Sequence, residues 1–342
     1  MSTRKIRVGV IGVGRMGERH CRVYATLKDA ELIGVSDRAA DRGRAVAARY
    51  GVEYFPRISD LIARVDAVSV VTPTDAHYAV AAECLRQGVH VLVEKPLAAD
   101  VSEARELVHL ASRTGCVLQV GHIERFNPAF LELQSVIADI PIIAADLRRL
   151  SPFDSSNTDV DVVFDLMIHD IDLTLALLGD QIVDLHAVGR SARTASIDYA
   201  LATLTTAGGP IVTLTASRVT EQKVRVIEIT ADGAYIQADL MNKSICIHRR
   251  TLPEFVANHQ RPLRYRQESF VEWIHIPTAE PLLLELEDFV RCIRDGQAPR
   301  VTGADGLRAL ELAALIRSRL GQPAAPAAAP AGRRSAPAVP AG

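Results

Sequence analysis

The sequence predicts an α/β protein of two domains, an N-terminal domain with a parallel sheet and a C-terminal α+β domain with a largely antiparallel sheet. Three observations support this. The chain of 342 residues is long enough for about two domains. Over residues 6–121, short apolar strand segments alternate with helical segments, the pattern of β-α-β units. From Ile142 to His248, strand signals follow one another with few helices. We predict domains at residues 1–122 and 123–321 and a disordered Ala/Pro-rich tail at 322–342.

Composition excludes several classes of protein. Apolar residues make up 48% of the chain, and the formal net charge is -2, so no basic excess favours nucleic acid or an anionic membrane. The five cysteines are scattered without a C-x-x-C pair, which favours reduced thiols over disulfides or a metal site. We recognise no leader sequence and no apolar run long enough to span a bilayer. We therefore expect a cytoplasmic protein that binds no metal, nucleic acid or membrane.

The first predicted strand, residues 7–11, leads directly into Gly12-Val13-Gly14-Arg15-Met16-Gly17, and a helix is predicted over residues 15–27. This is a G-x-G-x-x-G turn with a strand before it and a helix after it, the context that dinucleotide binding requires. Gly12 permits the tight turn, Gly14 lets the backbone approach a pyrophosphate, and Gly17 lets helix and strand pack closely. The alternative is a merely structural glycine turn. We interpret the segment as the dinucleotide site of a Rossmann domain.

The second predicted strand, residues 30–36, ends at Asp37, about 20 residues after the glycine turn, where an acid binds the adenosine ribose. A 2′-phosphate would face this carboxylate, a like-charge penalty of order a few kcal/mol at an effective dielectric of about 20. The sequence therefore favours NAD over NADP. Arg38, and more distantly Arg42 and Arg44, could partly offset the penalty, so NADP stays possible. We prefer to read these arginines as a solvated basic face.

A later strand-to-helix unit supplies further candidate cofactor residues. A strand over residues 67–71 ends at Thr72-Pro73-Thr74, and Thr74 is a candidate N-cap for a helix over residues 75–87. His77 lies in the first turn of that helix. It either lines a nicotinamide pocket or simply caps and packs the helix.

The next strand, residues 90–93, stops at Glu94-Lys95-Pro96, because proline has no N–H and fixes its φ angle. Lys95 therefore lies just past the carboxyl end of a parallel strand, the edge at which open α/β sheets bind ligands. Taken alone, this lysine is more readily a solvated residue in an ordinary turn. The strands and helices around it change that interpretation, and we treat Lys95 as a candidate catalytic residue.

The glycine turn, the segment TPTDAHYAVAAECLRQGVHVLVEKPLA and the chain that follows it resemble the Gfo/Idh/MocA family, which includes glucose–fructose oxidoreductase and inositol dehydrogenase. The resemblance covers most of residues 6–320, with its specific motifs in residues 6–179. It implies a Rossmann domain joined to an α+β domain with an open-faced sheet. Glu-Lys-Pro is the hallmark of the family, which implies that Lys95 is catalytic and that Glu94 lies at the cofactor.

The segment GHIERFNP, residues 121–128, leaves the first domain. Arg125 and Asn127 lie there beside Pro128, and junctions between domains are common pocket sites. One interpretation is that the two side chains bind substrate. The other, of equal weight, is a linker whose polar groups cap a helix.

Residues 161–178 are predicted to form a largely buried helix. Asp165, His169 and Asp172 are spaced at i, i+4 and i+7, so they share one face of it. A stripe that merely faced water would normally include Lys, Glu or Arg, and none occurs here. The resemblance implies that Asp165 and His169 act on the substrate. The family often has glycines before this Asp, whereas Val162-Val163-Phe164 stand here and would narrow or reshape the pocket.

The strands between Ile142 and His248 are joined by turn signals at Gly208-Gly209-Pro210 and Asp232-Gly233, which favours a largely antiparallel sheet. One face of this sheet would pack on helices, while the other has no evident cover. An exposed apolar face predicts a homodimer or homotetramer formed through it. Residues 249–276 read as a loop over the site or a subunit arm. Helices are predicted at 281–295 and 303–320; the second is a candidate to pack back on the first domain, with Thr302 as its N-cap.

The combined pattern predicts an NAD-dependent dehydrogenase that oxidises a secondary alcohol of a sugar to a ketone. His169 would take the hydroxyl proton, because an unperturbed imidazole titrates near working pH. Lys95 would stabilise charge developing on the same oxygen, and Asp165 would orient the pair.

Within the family, GHIERFNPAF and DVVFDLMIHDID look most like UDP-N-acetylglucosamine 3-dehydrogenases, which oxidise the sugar's 3-hydroxyl on routes to diamino sugars such as those of lipid A. This implies that Arg125 and Asn127 bind a nucleotide sugar. Inositol-type dehydrogenases are the nearest alternative. A retaining glycosidase that keeps NAD bound and a non-enzymatic NAD-binding regulator also stay open.

Overall fold

A computed structural model of the chain describes residues 4–154, 160–179, 181–207, 209–250, 254–256, 264–266 and 269–320. The tail predicted at 322–342, residue Gly208 of one predicted turn and part of the segment 249–276 lie outside the described residues.

The N-terminal sheet is parallel, as predicted, and has six strands. They are β1 (Ile6–Ile11), β2 (Ala30–Ser36), β3 (Glu53–Tyr54), β4 (Ala67–Val70), β5 (His90–Glu94) and β6 (Leu118–Gly121). Their order in space is β3-β2-β1-β4-β5-β6. The direction of winding reverses between β1 and β4, and ligands of doubly wound sheets bind at that switch point, beyond the carboxyl ends of the strands.

Nine α-helices are assigned within the described residues. They are α1 (Arg15–Tyr24), α2 (Ala40–Tyr50), α3 (Ile58–Ile62), α4 (His77–Arg86), α5 (Val101–Thr114), α6 (Pro128–Ile137), α7 (Ile168–Leu178), α8 (Pro281–Asp295) and α9 (Gly303–Arg319). Thr302 caps α9 in a reciprocal capping box with Asp305, as the sequence predicted for Thr302. The cap predicted at Thr74 is wrong, because Thr74 lies inside a 3-10 turn, Thr74–Ala76, and makes no side-chain cap. None of these helices is both long and apolar enough to cross a bilayer.

The C-terminal sheet has eight strands. They are β7 (Ile142–Leu150), β8 (Ile182–Arg190), β9 (Tyr199–Thr206), β10 (Ile211–Ser217), β11 (Val224–Ala231), β12 (Ala234–Asp239), β13 (Ser244–Arg250) and β16 (Ser269–Ile274). Their order is β16-β13-β12-β11-β7-β10-β9-β8, and β7 and β10 form the one parallel pair. The largely antiparallel sheet is therefore confirmed. The predicted loop at 249–276 is corrected, because it contains β16 and a small hairpin of β14 (Glu254–Val256) and β15 (Arg264–Arg266).

One face of this sheet is buried and the other is open. Successive side chains of a strand point to opposite faces of the sheet, so β9 and β10 bury every second residue against the helices. The opposite face exposes large apolar side chains, namely Val188, Tyr199, Ile211, Tyr235, Val271 and Trp273. No described helix covers them.

The last two helices return to the N-terminal sheet. Leu286 and Phe289 of α8 are buried in one core with Val8 and Tyr24 of the first domain. On α9, a Cβ added at Gly306 would lie 2.5 Å from the side chain of Val120 on β6, so only glycine permits this close packing. The first domain therefore completes its core with residues from the end of the chain.

A buried guanidinium joins the two domains. Arg149 on β7 is 1% exposed. Its Nε and Nη2 donate to the two carboxylate oxygens of Asp170 on α7, at 3.0 and 2.8 Å, and its Nη1 donates to Oε1 of Glu124 at 2.8 Å. Glu124 lies in the 3-10 turn Ile123–Phe126 that leads out of the first domain. The cluster thus fixes α7, β7 and the interdomain segment to one another.

A buried carboxyl group, that of Glu285, lacks the partners that Arg149 has among the described residues. Glu285 on α8 is fully buried, and neither carboxylate oxygen has a hydrogen-bond partner among the described residues. Burial, and then the charges of Glu94, Asp288 and Asp172, raise the pKa of Glu285 well above its usual value. Burial without a hydrogen-bond partner therefore favours the neutral acid in the folded protein, whereas the side chain ionises in the unfolded chain near pH 7.

Glu285→Gln is expected to stabilise the protein, and by more at higher pH. The folded state keeps a proton that the unfolded state loses above about pH 4.3, so Glu285 costs stability by up to about 1.4 kcal/mol for each pH unit above that value. Glutamine removes this cost without changing the shape of the side chain. Melting temperatures at pH 5, 6.5 and 8 measure the effect, with the exposed Glu287→Gln on the same helix as control. A constant difference across this range would show that Glu285 is ionised when buried.

Candidate active site

The glycine turn lies at the carboxyl end of β1. Gly12 has a φ of +86°, and a Cβ there would come within 2.6 Å of the carbonyl oxygen of Val71. A Cβ at Gly17 would lie 1.9 Å from the carbonyl oxygen of Gly12, so α1 can pack on the turn only without one. A Cβ at Gly14, in contrast, would meet no atom within 4 Å. The space in front of Gly14 is open, at the N-terminus of a helix whose first N–H groups lack helical partners.

This geometry fits a dinucleotide. A pyrophosphate needs close approach to the backbone and donors at a helix N-terminus, and Gly14 with the start of α1 offers both. Across the switch point, the hydroxyl of Thr72 is buried without a hydrogen-bond partner among the described residues, so it is available to a bound group. Val13, Arg15 and Met16 belong to the same turn.

Asp37 is placed at the end of β2, as predicted, but its carboxylate is already engaged. It accepts the N–H groups of Val13 at 2.8 Å and Ala39 at 2.7 Å, and both ends of the Arg42 guanidinium, at 2.8 and 3.1 Å. Burial opposes the charge of this carboxylate, but the bonds from Arg42, Val13 and Ala39 outweigh burial and keep the pKa of Asp37 below its usual value. Four bonds use about all of its acceptor sites. A ribose can bind to this carboxylate only when the Arg42 side chain moves away. Arg38, the residue after Asp37, is exposed.

His77 links two loops of the site. Its Nδ1 lies 2.8 Å from the carbonyl oxygen of Pro96, and its Nε2 lies 2.9 Å from that of Thr72. The ring is 1% exposed. Of the two interpretations that the sequence allowed, the geometry favours the packing role. His77 joins the turn at Thr72-Pro73-Thr74 to the turn at Glu94-Lys95-Pro96, which sets the spacing between β4 and β5.

Lys95 reaches from β5 across to the second domain. Its Nζ donates to the backbone oxygen of Asp165 at 2.7 Å and lies 3.5 Å from Oδ1 of the same residue. Both side chains are about one-fifth exposed, at 19% and 22%. Glu94, the residue before Lys95, is held by His20, whose Nε2 lies 3.3 Å from Oε1 of Glu94. The predicted pair of Lys95 and Asp165 is therefore in contact.

Asp165 lies in a π-helical turn, Val163–Met167, and not in the α-helix predicted over residues 161–178. The α-helix begins at Ile168. Asp161 precedes the turn and accepts the N–H groups of Val163 and Phe164, so it acts as a cap. Such π-helical turns are uncommon and often lie at functional sites, where the extra residue changes the direction of neighbouring side chains.

His169 follows in the first turn of α7, and its ring lies edge-on to that of His122, with 6.4 Å between ring centres. Its Nδ1 is buried and has no hydrogen-bond partner among the described residues. Burial first, and then the positive charges of Lys95 and Arg149, lower the pKa of His169 well below 6.5. The imidazole is therefore neutral at pH 7 and can accept a proton. The expectation that it titrates near working pH is corrected.

The third member of the predicted stripe, Asp172, does not face the site. It is 1% exposed and forms a two-bond pair with Arg125, at 2.7 and 3.0 Å. Asn127 accepts the N–H of Ala129 as the cap of α6 and donates to Glu124 and to the backbone oxygen of Leu240. Of the two interpretations that the sequence allowed for Arg125 and Asn127, these contacts favour polar groups that build the junction, and substrate binding by them stays a prediction.

Sequence reasoning missed the buried polar groups behind Lys95. His20, Gln119 and His122 are at most 1% exposed. One ring nitrogen of His20, both of His122 and the Oε1 of Gln119 lack hydrogen-bond partners among the described residues. The signal was present but weak, since His122 and Gln119 lie at the end of a strand next to the Lys95 strand. No group of described His, Cys, Asp and Glu side chains is placed to hold a metal ion.

Known proteins resemble this chain over almost its whole length. Residues 6–122 match the family described as oxidoreductase, NAD-binding Rossmann fold, and residues 146–237 match the GFO/IDH/MocA C-terminal domain. UDP-N-acetylglucosamine 3-dehydrogenase of Acidithiobacillus ferrooxidans is 38% identical over 91% of this chain and 96% of its own length. Inositol 2-dehydrogenase of Rhizobium meliloti is 28% identical over 92% of this chain and 96% of its own.

Solved structures agree with these matches. A crystal structure of the Acidithiobacillus UDP-N-acetylglucosamine 3-dehydrogenase superposes with a TM-score of 0.83 and 37% identity, covering 92% of this chain and 98% of that chain. Both domains, the strand order and the sequence motifs thus point to one family. This chain belongs to the Gfo/Idh/MocA family of NAD-binding oxidoreductases.

Proposed function

We propose that this protein is an NAD-dependent dehydrogenase that oxidises the 3-hydroxyl of UDP-N-acetylglucosamine to a ketone. The observation that carries the proposal is the contact between Lys95 and Asp165, with His169 one turn further on, at the edge of the sheet that bears the glycine turn. The 38% identity to UDP-N-acetylglucosamine 3-dehydrogenase supports the choice of substrate. An inositol or another sugar is the second candidate, supported by the 28% identity to inositol 2-dehydrogenase.

In this proposal, the residues of the site bind the cofactor, accept the proton and stabilise the developing charge. Gly12, Gly14 and the start of α1 hold the dinucleotide, and Asp37 binds its ribose once Arg42 has moved away. The turns at Thr72-Pro73-Thr74 and Glu94 border its nicotinamide end. NAD, when bound, accepts the hydride from the carbinol carbon. His169, neutral at pH 7, takes the hydroxyl proton. The ammonium of Lys95 donates to the same oxygen and stabilises the negative charge that develops there, and Asp165 holds Lys95 in position.

An NADH-absorbance screen tests the proposal. UDP-N-acetylglucosamine is expected to give NADH and a 3-keto product, whereas myo- and scyllo-inositol give little. Turnover of the inositols alone would replace the proposed substrate. NADH-free hydrolysis of a glycoside would favour an enzyme that keeps its cofactor bound, and no turnover of any sugar together with tight NAD binding would favour a regulator.

Lys95→Met and His169→Asn are expected to reduce turnover by about 10²–10⁴ each while leaving NAD affinity nearly unchanged. Their pH profiles should differ. Wild-type turnover is expected to be level near pH 7 and to fall only in acid, because His169 is protonated only below its lowered pKa. Lys95→Met removes a positive charge that lowers this pKa, so the acid limb should move to higher pH; in His169→Asn it should vanish. A variant that melts early but keeps full turnover would remove that residue from the mechanism.

Arg42→Ala is expected to increase the preference for NAD over NADP. The substitution frees the Asp37 carboxylate for the ribose hydroxyls and removes a cation that could pair with a 2′-phosphate. Arg44→Ala is the matched control, because Arg44 lies on the same helix but pairs with Asp41. The KM values for both cofactors measure the change. If the ratio does not move, Asp37 does not contact the ribose.

We further propose that the open sheet face joins two copies of this chain. Its exposed apolar side chains, which include Tyr235 and Trp273, would be covered by the same face of a second copy, as in a symmetric dimer. Trp273→Glu is then expected to shift the protein towards monomer in sedimentation experiments. Phe270→Glu, an equal change whose side chain alternates to the other face of the same strand, should have a smaller effect. Equal behaviour of the two variants would place the interface elsewhere.

A further inference from the structure

A cavity of about 640 Å³ opens beside the proposed catalytic residues. Asp165, whose backbone oxygen accepts the Lys95 ammonium, forms part of its wall. The remaining wall comes from the segment Ser151–Asp154 after β7, from the start of α1 and from β11 and the turn before it. The cavity therefore starts at the proposed reacting end and extends along the second domain.

The described wall carries more positive than negative charge. Four cationic side chains line it, namely Arg15, Arg218, Lys223 and Arg225. Two carboxylates, Asp154 and Asp165, face them. Asp165 already lies beside the ammonium of Lys95. The lining side chains thus carry a formal excess of two positive charges, in a concave site where a polar ligand would be partly removed from water.

The four cations are not equally available. Arg218 is buried and committed, since its Nε donates to Asp198 and its Nη2 to the hydroxyl of Thr194. Lys223 is exposed and makes no hydrogen bond or ion pair with a described residue. Arg15 is equally open but follows Gly14 in the turn that fits the cofactor. Among the described lining residues, Lys223 is therefore the free cation on the side of the cavity away from the dinucleotide.

Arg225 is fixed at the wall and only partly neutralised. Its Nη1 donates to Oε1 of Glu124 at 3.1 Å, but that same oxygen accepts a bond from Arg149 at 2.8 Å. One carboxylate thus serves two guanidinium groups. The Nε of Arg225 is buried and has no hydrogen-bond partner among the described residues. The Arg225 side chain is 28% exposed, so its guanidinium can present its remaining positive charge to an anion in the cavity.

We propose that this cavity binds the diphosphate of a nucleotide-sugar substrate, with Lys223 and Arg225 as its main contacts. The assignment deepens the proposed function and rests on it for the position of the sugar at Lys95. A diphosphate carries the two or more negative charges that the wall lacks, whereas an inositol or a free sugar carries none. The same residues would thus select nucleotide sugars over neutral polyols.

The test compares Lys223→Gln with Lys223→Arg and with Lys28→Gln, an exposed lysine remote from the cavity. Binding of UDP and of inorganic pyrophosphate to the NAD-loaded protein is measured by calorimetry. The KM and kcat values for UDP-N-acetylglucosamine and the KM for NAD are measured in parallel. Lys223→Gln is expected to weaken UDP binding and to raise the KM for the sugar nucleotide about tenfold, with kcat and the KM for NAD nearly unchanged. Lys223→Arg should retain most of the affinity, and pyrophosphate should compete with UDP.

The results separate this site from the proposed function. Wild-type protein that does not bind UDP, or equal UDP affinity in wild type and Lys223→Gln, overturns the site, even if UDP-N-acetylglucosamine is oxidised. A rise in the KM for NAD instead of the KM for the sugar nucleotide also overturns it, because the cations then serve the cofactor. UDP binding that depends on Lys223, without oxidation of the sugar, supports the site and removes the proposed reaction.

Discussion

The rest of the structure depends on the hydrogen bonds that the buried guanidinium of Arg149 makes to two carboxylates. The guanidinium lies inside the protein and donates to Asp170 and Glu124, so it connects strand β7, helix α7 and the segment that leaves the first domain. Asp170 is the neighbour of His169, and Glu124 also holds Arg225. The position of the proposed base and the charge of the cavity wall therefore follow from one buried side chain. Loss of Arg149 would leave the buried carboxylate of Asp170 without its ionic partner, at a cost of about 3–5 kcal/mol.

The site is divided between the two domains, and each domain supplies what the other lacks. The parallel sheet brings the glycine turn, Asp37 and Lys95 to one edge, because the carboxyl ends of its strands end together. The second domain brings Asp165 and His169 on a π-helical turn and the helix that follows it. The bond from Lys95 to the backbone oxygen of Asp165 spans this boundary. Chemistry at Lys95 therefore requires the two domains to keep their relative position.

The sequence predicted the parts of the site that depend on local rules. A G-x-G-x-x-G turn after a strand, an acid at the end of the next strand and Glu-Lys-Pro after another need only strand and helix order to be placed. It left the role of Arg125 and Asn127 open, because a sequence gives the location of a polar side chain but not its partners in the fold. It extended the α-helix through Asp165, since the 3.6-residue period hides a π-helical turn. The buried state of Glu285 was invisible, because one acid in an amphipathic helix looks solvated.

The return of α8 and α9 to the N-terminal sheet has a consequence for biosynthesis. The first 122 residues emerge from the ribosome long before residues 281–320, whose side chains complete their core. Until then, apolar surface around Val8, Tyr24 and Val120 is without its cover. The core of the nascent Rossmann domain therefore stays incomplete while the second domain is translated. We therefore expect a chain cut short near residue 280 to be less soluble than the full chain, because this apolar surface would stay uncovered.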